Sequence, residues 1–362
     1  MRGILRRTFA VPGTDLSSAP ACVQPVLERL RADSMLHFGV PSARLQPVDY
    51  RERPFSHVLR VAVFTDDPDR PAAHLFVKVF KARAADVQRI SARVAQDFET
   101  TSRVRAALSR WNDLGVVRGV ACYPEHLASV TEETAGMTLS EYLHGGAVWL
   151  SAHGRLVDAT ATMERVGRWV RAFQTIAPSP GCLTVERLRS YVDLRLARLV
   201  ELPAAGFDAT DRRRVLAHID RLWRDVDSVD LDEVPIHADL APGNIIVSSG
   251  RVTVLDFAMS SAGSRLHDLS RLFLQVDLMT LKPQFRPPVL RQLNASMLRG
   301  FDPQVDASRP MFRLLSMQHR VNHLATLSSA KESFPTSAYN WHVRRNHRAW
   351  IADELRRSER GE

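Results

Sequence analysis

Cysteine is scarce: three in 362 residues (Cys22, Cys122, Cys182), far apart and in no ligand spacing, which argues against a disulfide framework or a zinc site. No run approaches the 18 consecutive apolar residues of a membrane span. The opening Met1-Arg-Gly-Ile-Leu-Arg-Arg lacks the apolar middle of a secretory signal, so a cytoplasmic chain without a transmembrane segment is expected. No block of five like charges and no basic stretch interleaved with stacking aromatics occurs, and no specific nucleic-acid partner is expected. Lysine is nearly missing. Of 49 basic residues only Lys78, Lys81, Lys282 and Lys331 are lysines, so the net charge of +9 is an arginine bias, read as genome composition rather than function. Most of those arginines alternate with acids on solvated helical faces. A lysine kept against that bias marks a place where a compact ammonium matters.

What remains is ordinary for a globular protein: 45% hydrophobic and 25% charged residues, in a chain long enough for one large domain or two modest ones. Residues 1–20 read as a loose arm. Residues 23–38 carry Val26, Leu27, Leu30 and Leu36 at helical spacing. Val58-Leu-Arg-Val-Ala-Val-Phe64 and His74-Leu-Phe-Val-Lys-Val-Phe80, separated by Asp66-Asp67-Pro68-Asp69, predict a β-hairpin. Val87, Ile90, Val94, Phe98, Thr101, Val104 and Leu108 predict a long helix, and 115–121 and 126–134 two further strands. From Leu139 the pattern is helical, with stripes at Met163–Phe173, Leu188–Leu199 and Val215–Val226. The division is therefore an arm (1–20), a small N-terminal lobe (21–134) and a larger helical lobe (135–362), with a ligand cleft expected between the lobes.

One hairpin interrupts the helices. Asn244-Ile-Ile-Val-Ser-Ser-Gly-Arg-Val-Thr-Val-Leu-Asp256 turns at Ser248-Ser249-Gly250 and follows the loop Pro235-Ile-His-Ala-Asp-Leu-Ala-Pro-Gly243. The spacing of Asp239, Asn244 and Asp256 across that hairpin sets three hard-oxygen side chains on one edge. Two suit Mg²⁺ and one carboxylate is left to accept a proton, the set that phosphoryl transfer needs.

His237-x-Asp239-x-x-x-x-Asn244, then a hairpin and Leu255-Asp-Phe257, resembles the catalytic core of the aminoglycoside phosphotransferase and choline kinase superfamily. The resemblance implies an α+β, two-lobed, protein-kinase-like fold: a small antiparallel sheet with one long helix, then a larger, mostly helical lobe. It implies ATP (or GTP) and Mg²⁺ as cofactors, Asp239 as catalytic base, His237 as a brace of its loop, and Asn244 and Asp256 as metal ligands. It makes Asp268 the support of the catalytic loop, where the residues alone allow a helix N-cap. Lys78, inside an apolar strand, corresponds to the lysine on the nucleotide phosphates, with Glu99 as its acidic partner and Asp97 as the other candidate; Lys81 is expected in solvent. The phosphate-covering turn, Asp49 to His57, contains no glycine, and Ser56, His57 or Arg53 would supply side-chain donors there. Ala258 stands where glycine usually follows the Asp-Phe pair. Thr131–Gly136 corresponds to the interlobe hinge.

The acceptor is expected to be a small hydroxyl compound. Arg286, Arg291, Arg299, Arg309, Arg313 and Arg320 make the C-terminal third basic, which favours a neutral or anionic sugar-type acceptor over a polycationic aminoglycoside. His319 and His323, four apart, are read as polar pocket or surface groups. Two other readings stand beside the enzyme. One is a kinase-like pseudoenzyme acting as a nucleotide-binding or scaffold module. The other is a peripheral membrane or nucleic-acid binder working through Trp341, Trp350 and neighbouring arginines.

Overall fold

The computed structural model describes residues 9–10, 20–146, 153–177, 181–202, 205–329 and 336–360. The chain divides into two compact units, Met1–Gly136 with Thr253–Ser260, and Met137–Val252 with Ser261–Glu362.

The first unit begins with strand β1 (Phe9–Ala10), helix α1 (Gln24–Ala32) and helix α2 (Ser34–Phe38). The single helix expected over 23–38 is broken at Asp33. Val26, Leu27 and Leu30 are buried as their spacing requires, but Leu36, beyond the break, is 79% exposed. Of the expected arm, Phe9–Ala10 forms a strand, and residues 1–8 and 11–19 lie outside the described residues. Strands β2 (Arg44–Glu52), β3 (Ser56–Phe64), β4 (Ala73–Phe80), β5 (Leu114–Val116), β6 (Gly119–Tyr123) and β7 (Ala128–Glu132) follow, with α3 (Val87–Leu108) between β4 and β5. Six strands form one antiparallel sheet in the order β1-β2-β3-β4-β7-β6. Alternation sets its faces. On β4, Leu75, Val77 and Val79 turn into a core shared with α1, while Lys78 lies on the opposite face. The segment Thr253–Ser260 joins this unit, where Val117 N–H donates to the Val254 carbonyl at 3.1 Å.

The second unit contains β8 (Met137–Thr138), α4 (Leu139–Gly146), α5 (His153–Gln174), α6 (Val185–Val200) and α7 (Ala209–Leu222). It continues with β9 (Glu233–Ile236), β10 (Ile245–Ser248), β11 (Arg251–Val254, shared with the first unit), β12 (Ser261–Ser264), α8 (His267–Asp277), α9 (Pro287–Phe301), α10 (Pro310–Ser329) and α11 (Thr336–Arg360). The predicted stripes are its core: Trp169, Phe173, Leu196, Leu199, Val215 and Ile219 are buried. Helices α5 and α9 cross at glycine. A Cβ on Gly167 would lie 2.0 Å from the Met297 carbonyl oxygen, and one on Gly300 would lie 2.1 Å from that of Glu164. No helix among the described residues is long and apolar enough to cross a membrane.

Of the arginines expected to make the C-terminal third basic, Arg286 and Arg291 are exposed and the other four are paired with acids. Arg299 pairs with Glu164, Arg309 with Asp227 and Asp230, Arg313 with Glu354 and Arg320 with Asp277. Arg320, 5% exposed, donates through Nη1 to His347 Nδ1 at 3.3 Å. Because arginine can only donate, the His347 proton sits on Nε2, which donates to His323 Nδ1 at 3.0 Å. His319 Nε2 lies 3.1 Å from Ser270 Oγ. The expected polar pocket at His319 and His323 is thus a packed network, because α8 and α11 cover that face of α10.

Burial holds His218, His319, His323 and His347 below the ordinary imidazole range, with neighbouring positive charge acting in the same direction at His319, His323 and His347. Below about pH 6.5 the unfolded chain therefore binds protons that the folded chain refuses, and stability falls as pH falls. Each histidine contributes a slope approaching ~1.4 kcal/mol per pH unit. Thermal melts from about pH 8 down to about pH 5 are expected to show the transition temperature dropping once pH passes below about 6.5. A flat profile across that window would contradict the burial of these rings.

Candidate functional site

In the first unit the site residues gather around Lys78. Strand β4 lies between β3 and β7, with Lys78 opposite Val58 and Ser129, so the lysine is on an internal strand. Its Nζ donates to Asp256 Oδ2 at 2.8 Å and lies 4.6 Å from the Phe80 ring centre. Its ion-pair partner is thus Asp256, and of the two candidate acids on α3 it is Asp97, not Glu99, that lies on the buried face. Asp97 is 8% exposed and shares the buried face of Val94, Thr101 and Val104, whereas Glu99 is rotated into solvent. Burial pushes the Asp97 carboxyl up to about 6, and the charge of Asp256 adds to this. Lys78, the Phe257 N–H and Arg93 oppose it.

Asp256 does not end a strand. β11 stops at Val254, and Asp256 takes a left-handed backbone, φ 69°, which costs a non-glycine residue about 1–3 kcal/mol unless its surroundings hold it. Phe257 is buried behind it, and Arg93 Nε donates to the Ala258 carbonyl at 2.8 Å.

The glycine-free loop is shorter than its sequence suggests. Asp49–Glu52 completes β2 and Ser56–His57 opens β3, leaving a turn of Arg53, Pro54 and Phe55 closed by Arg53 N–H to the Ser56 carbonyl at 2.7 Å. Ser56 is buried at its base. His57 is occupied by the Tyr50 hydroxyl at 2.6 Å, and Lys81, expected in solvent, pairs with Glu52 at 2.6 Å.

In the second unit β12 runs antiparallel along β9, with Ile236 opposite Ser261. The chain then turns into α8, whose second residue, Asp268, reaches back to the loop after β9. The fully buried Asp268 accepts from His237 N–H at 2.7 Å and from Ala238 N–H at 2.9 Å. Ala238 sits at φ 61°. Burial alone would raise the Asp268 carboxyl. The hydrogen bond from His267, the charges of His267 and His237 and the His237 N–H together hold it below the ordinary carboxylate range. Asp268 does not cap α8, which has Leu266 at its N-cap position and no side-chain cap bond. His237 is buried, while Asp239 keeps 40% of its side chain exposed.

Arg271, one turn along α8 from Asp268, donates through Nη2 to Asp239 Oδ1, a contact that sequence reasoning missed. Asn244 Nδ2 donates to the Asp239 carbonyl at 3.0 Å, so its Oδ1 is the atom left to face a cation. Asp256 likewise retains an oxygen beyond the one Lys78 holds. Such hard oxygen donors fit Mg²⁺. No cluster of three His, Cys, Asp or Glu side chains suited to a metal occurs among the described residues.

A buried aspartate braces the base of a loop that presents a half-exposed carboxylate, and a strand lysine is paired with an aspartate after a β-hairpin. Together with the antiparallel sheet and the helical second unit, these define a phosphotransferase with the fold of aminoglycoside phosphotransferases and choline kinases. The chain belongs to the phosphotransferase enzyme family, whose model matches residues 89–303, and is an ATP-dependent enzyme acting on a hydroxyl group. Its fold is similar to that of a choline/ethanolamine kinase family protein from Mesorhizobium loti, at 14% identity over 92% of this chain and 98% of that one, with a TM-score of 0.54. It is also similar to a thermostable mutant of an aminoglycoside phosphotransferase in its apo form (14% identity, 91% and 99% covered, TM-score 0.52). A third similar structure is an amicoumacin kinase in complex with AMP-PNP, Ca²⁺ and Ami (15% identity, 82% and 86% covered, TM-score 0.51). No curated protein matches the chain.

Proposed function

We propose that the enzyme transfers the γ-phosphoryl group of Mg²⁺–ATP to a hydroxyl of a neutral or anionic sugar-type molecule rather than to a polycationic aminoglycoside. The observation that carries the acceptor class is Arg271 on Asp239. Its guanidinium cancels the carboxylate charge that would otherwise draw in a polyammonium compound. Among the other arginines of the C-terminal third, Arg299, Arg309, Arg313 and Arg320 are each paired with an acid, which reduces their pull on an acceptor.

In the chemical step the acceptor oxygen bonds to the γ-phosphorus as the bond to the β,γ-bridging oxygen breaks. That electron pair leaves with ADP, and the acceptor proton passes to Asp239. His237 and Asp268 hold the loop of Asp239. Asn244 and Asp256 would hold the cation, whose chemistry is to neutralise phosphate oxygens. Lys78 reaches the nucleotide phosphates with Asp97 behind it, and Ser56 supports the turn over them. Nucleotide binding to this chain is supported by its family membership.

The test is a panel of neutral sugars, sugar phosphates and aminoglycosides incubated with Mg²⁺–ATP and read by mass spectrometry for the gain of one phosphoryl group. Transfer to the first two classes and none to aminoglycosides is expected. An aminoglycoside as the best acceptor would overturn the acceptor class and leave the reaction type standing.

A further inference from the structure

Asp256 occupies its left-handed backbone without the freedom of glycine, and the residue after Phe257 is alanine. Something outside the segment must hold it. Helix α3 supplies two groups one turn apart, Arg93 and Asp97, on one face. Arg93 Nε donates to the Ala258 carbonyl at 2.8 Å, and its Nη2 contacts Met259 Sδ. Asp97, buried at 8% exposure, accepts the Phe257 N–H. Phe257 is 1% exposed and its carbonyl accepts from Ser260 N–H at 2.8 Å, closing the segment into a turn. The peptide groups immediately after Asp256 are therefore gripped at one N–H and one carbonyl by a single helical face.

We infer that Arg93 and Asp97 form a two-pronged clip whose function is to fix the orientation of Asp256. Both are positioning residues. They act through the main chain of residues 257–258, and through it on the carboxylate that Lys78 touches. Asp97 is one methylene shorter than the glutamate expected to reach Lys78. Its bond goes to the Phe257 amide, so this helix holds the aspartate segment itself in addition to facing the lysine. The alanine at 258 removes the backbone freedom that a glycine would give. The purpose of the clip rests on the proposed assignment of Asp256 to the cation.

Two readouts on the full chain separate the clip from that assignment. The first is amide hydrogen exchange of the peptide 253–260 in protein without nucleotide, which involves no metal. Arg93→Ala and Asp97→Ala are each expected to speed exchange there by about tenfold or more, the effect of losing one charge-assisted hydrogen bond. Arg93→Lys should restore most of the protection, because an ammonium can still donate to the Ala258 carbonyl. The second is the Mg²⁺ concentration giving half-maximal rate at saturating ATP. It should rise by about tenfold in both variants, the usual cost of removing a group that orients a metal ligand, with most of the turnover recovered at high Mg²⁺. Should Asp97→Ala prove unstable, Arg93→Ala, whose side chain is only half-buried, carries the test alone. Unchanged exchange in peptide 253–260 overturns the clip. Faster exchange with an unchanged Mg²⁺ requirement overturns the assignment of Asp256 to the cation and leaves the clip standing.

Discussion

Asp239→Asn is expected to lower phosphoryl-transfer turnover by about 10²–10⁴-fold, the usual worth of a positioned proton acceptor, with nucleotide affinity changed by less than about twofold. The neighbours of Asp239 explain why the amide cannot substitute. Arg271 has only donors, so an asparagine at this position must turn its oxygen toward the guanidinium. The amide NH₂ is then presented to the acceptor hydroxyl as a donor that cannot take a proton. The main-chain carbonyl of residue 239 still receives the Asn244 side chain, so the loop keeps its shape and binding should survive. Lys78→Ala is the contrasting variant. Losing a donor to a charged partner costs about 1.5–3 kcal/mol, so nucleotide affinity should fall by about 10–100-fold. Equilibrium binding of ATP–Mg²⁺ and single-turnover rates check both arms. Wild-type turnover in Asp239→Asn would remove Asp239 from the role of base.

The sequence made the chemistry legible where a residue was out of character for its surroundings. A lysine in Val77-Lys-Val79 is conspicuous in a chain that almost always chooses arginine, and it does sit on an internal strand beside Asp256. Between the two acids on α3, helical phase is the feature that tells them apart. Asp97 lies three residues after Val94 and seven before Val104, on the buried stripe, while Glu99 falls between turns. That phase was present in the sequence and is the signal that finds Asp97.

The same preference for local features turned Asp49–His57 into a loop. Its charges and Pro54 resemble turn chemistry, but pairing of β2 with β3 on both sides of a register shift at Pro47/Asp49 overrides them. The four-residue spacing of His319 and His323 puts both on one face of α10. What covers that face, α8 and α11, is tertiary information that no periodicity carries. The contact of Arg271 with Asp239 spans 32 positions, a pairing that no local pattern carries.

Asp268 shows how far the structure can separate two readings that the sequence leaves level. A helix-capping aspartate replaced by alanine costs ~1 kcal/mol. The observed carboxylate instead holds two buried amides, His237 N–H and Ala238 N–H, the second on a residue with a left-handed backbone. Removing it leaves two donors unsatisfied at about 1–3 kcal/mol each, so Asp268→Ala is expected to cost about 2–6 kcal/mol of stability. Asp268→Asn should recover only part of this. One oxygen can still accept, but the NH₂ then faces a backbone N–H, two donors opposed. Urea denaturation of the three proteins measures the difference, and turnover should fall with stability because the strained Ala238 directly precedes Asp239. A loss near 1 kcal/mol in Asp268→Ala, equal to that of an ordinary cap, would show that the loop keeps its shape without this carboxylate. It would also separate the fold of the second unit from the geometry of the Asp239 loop.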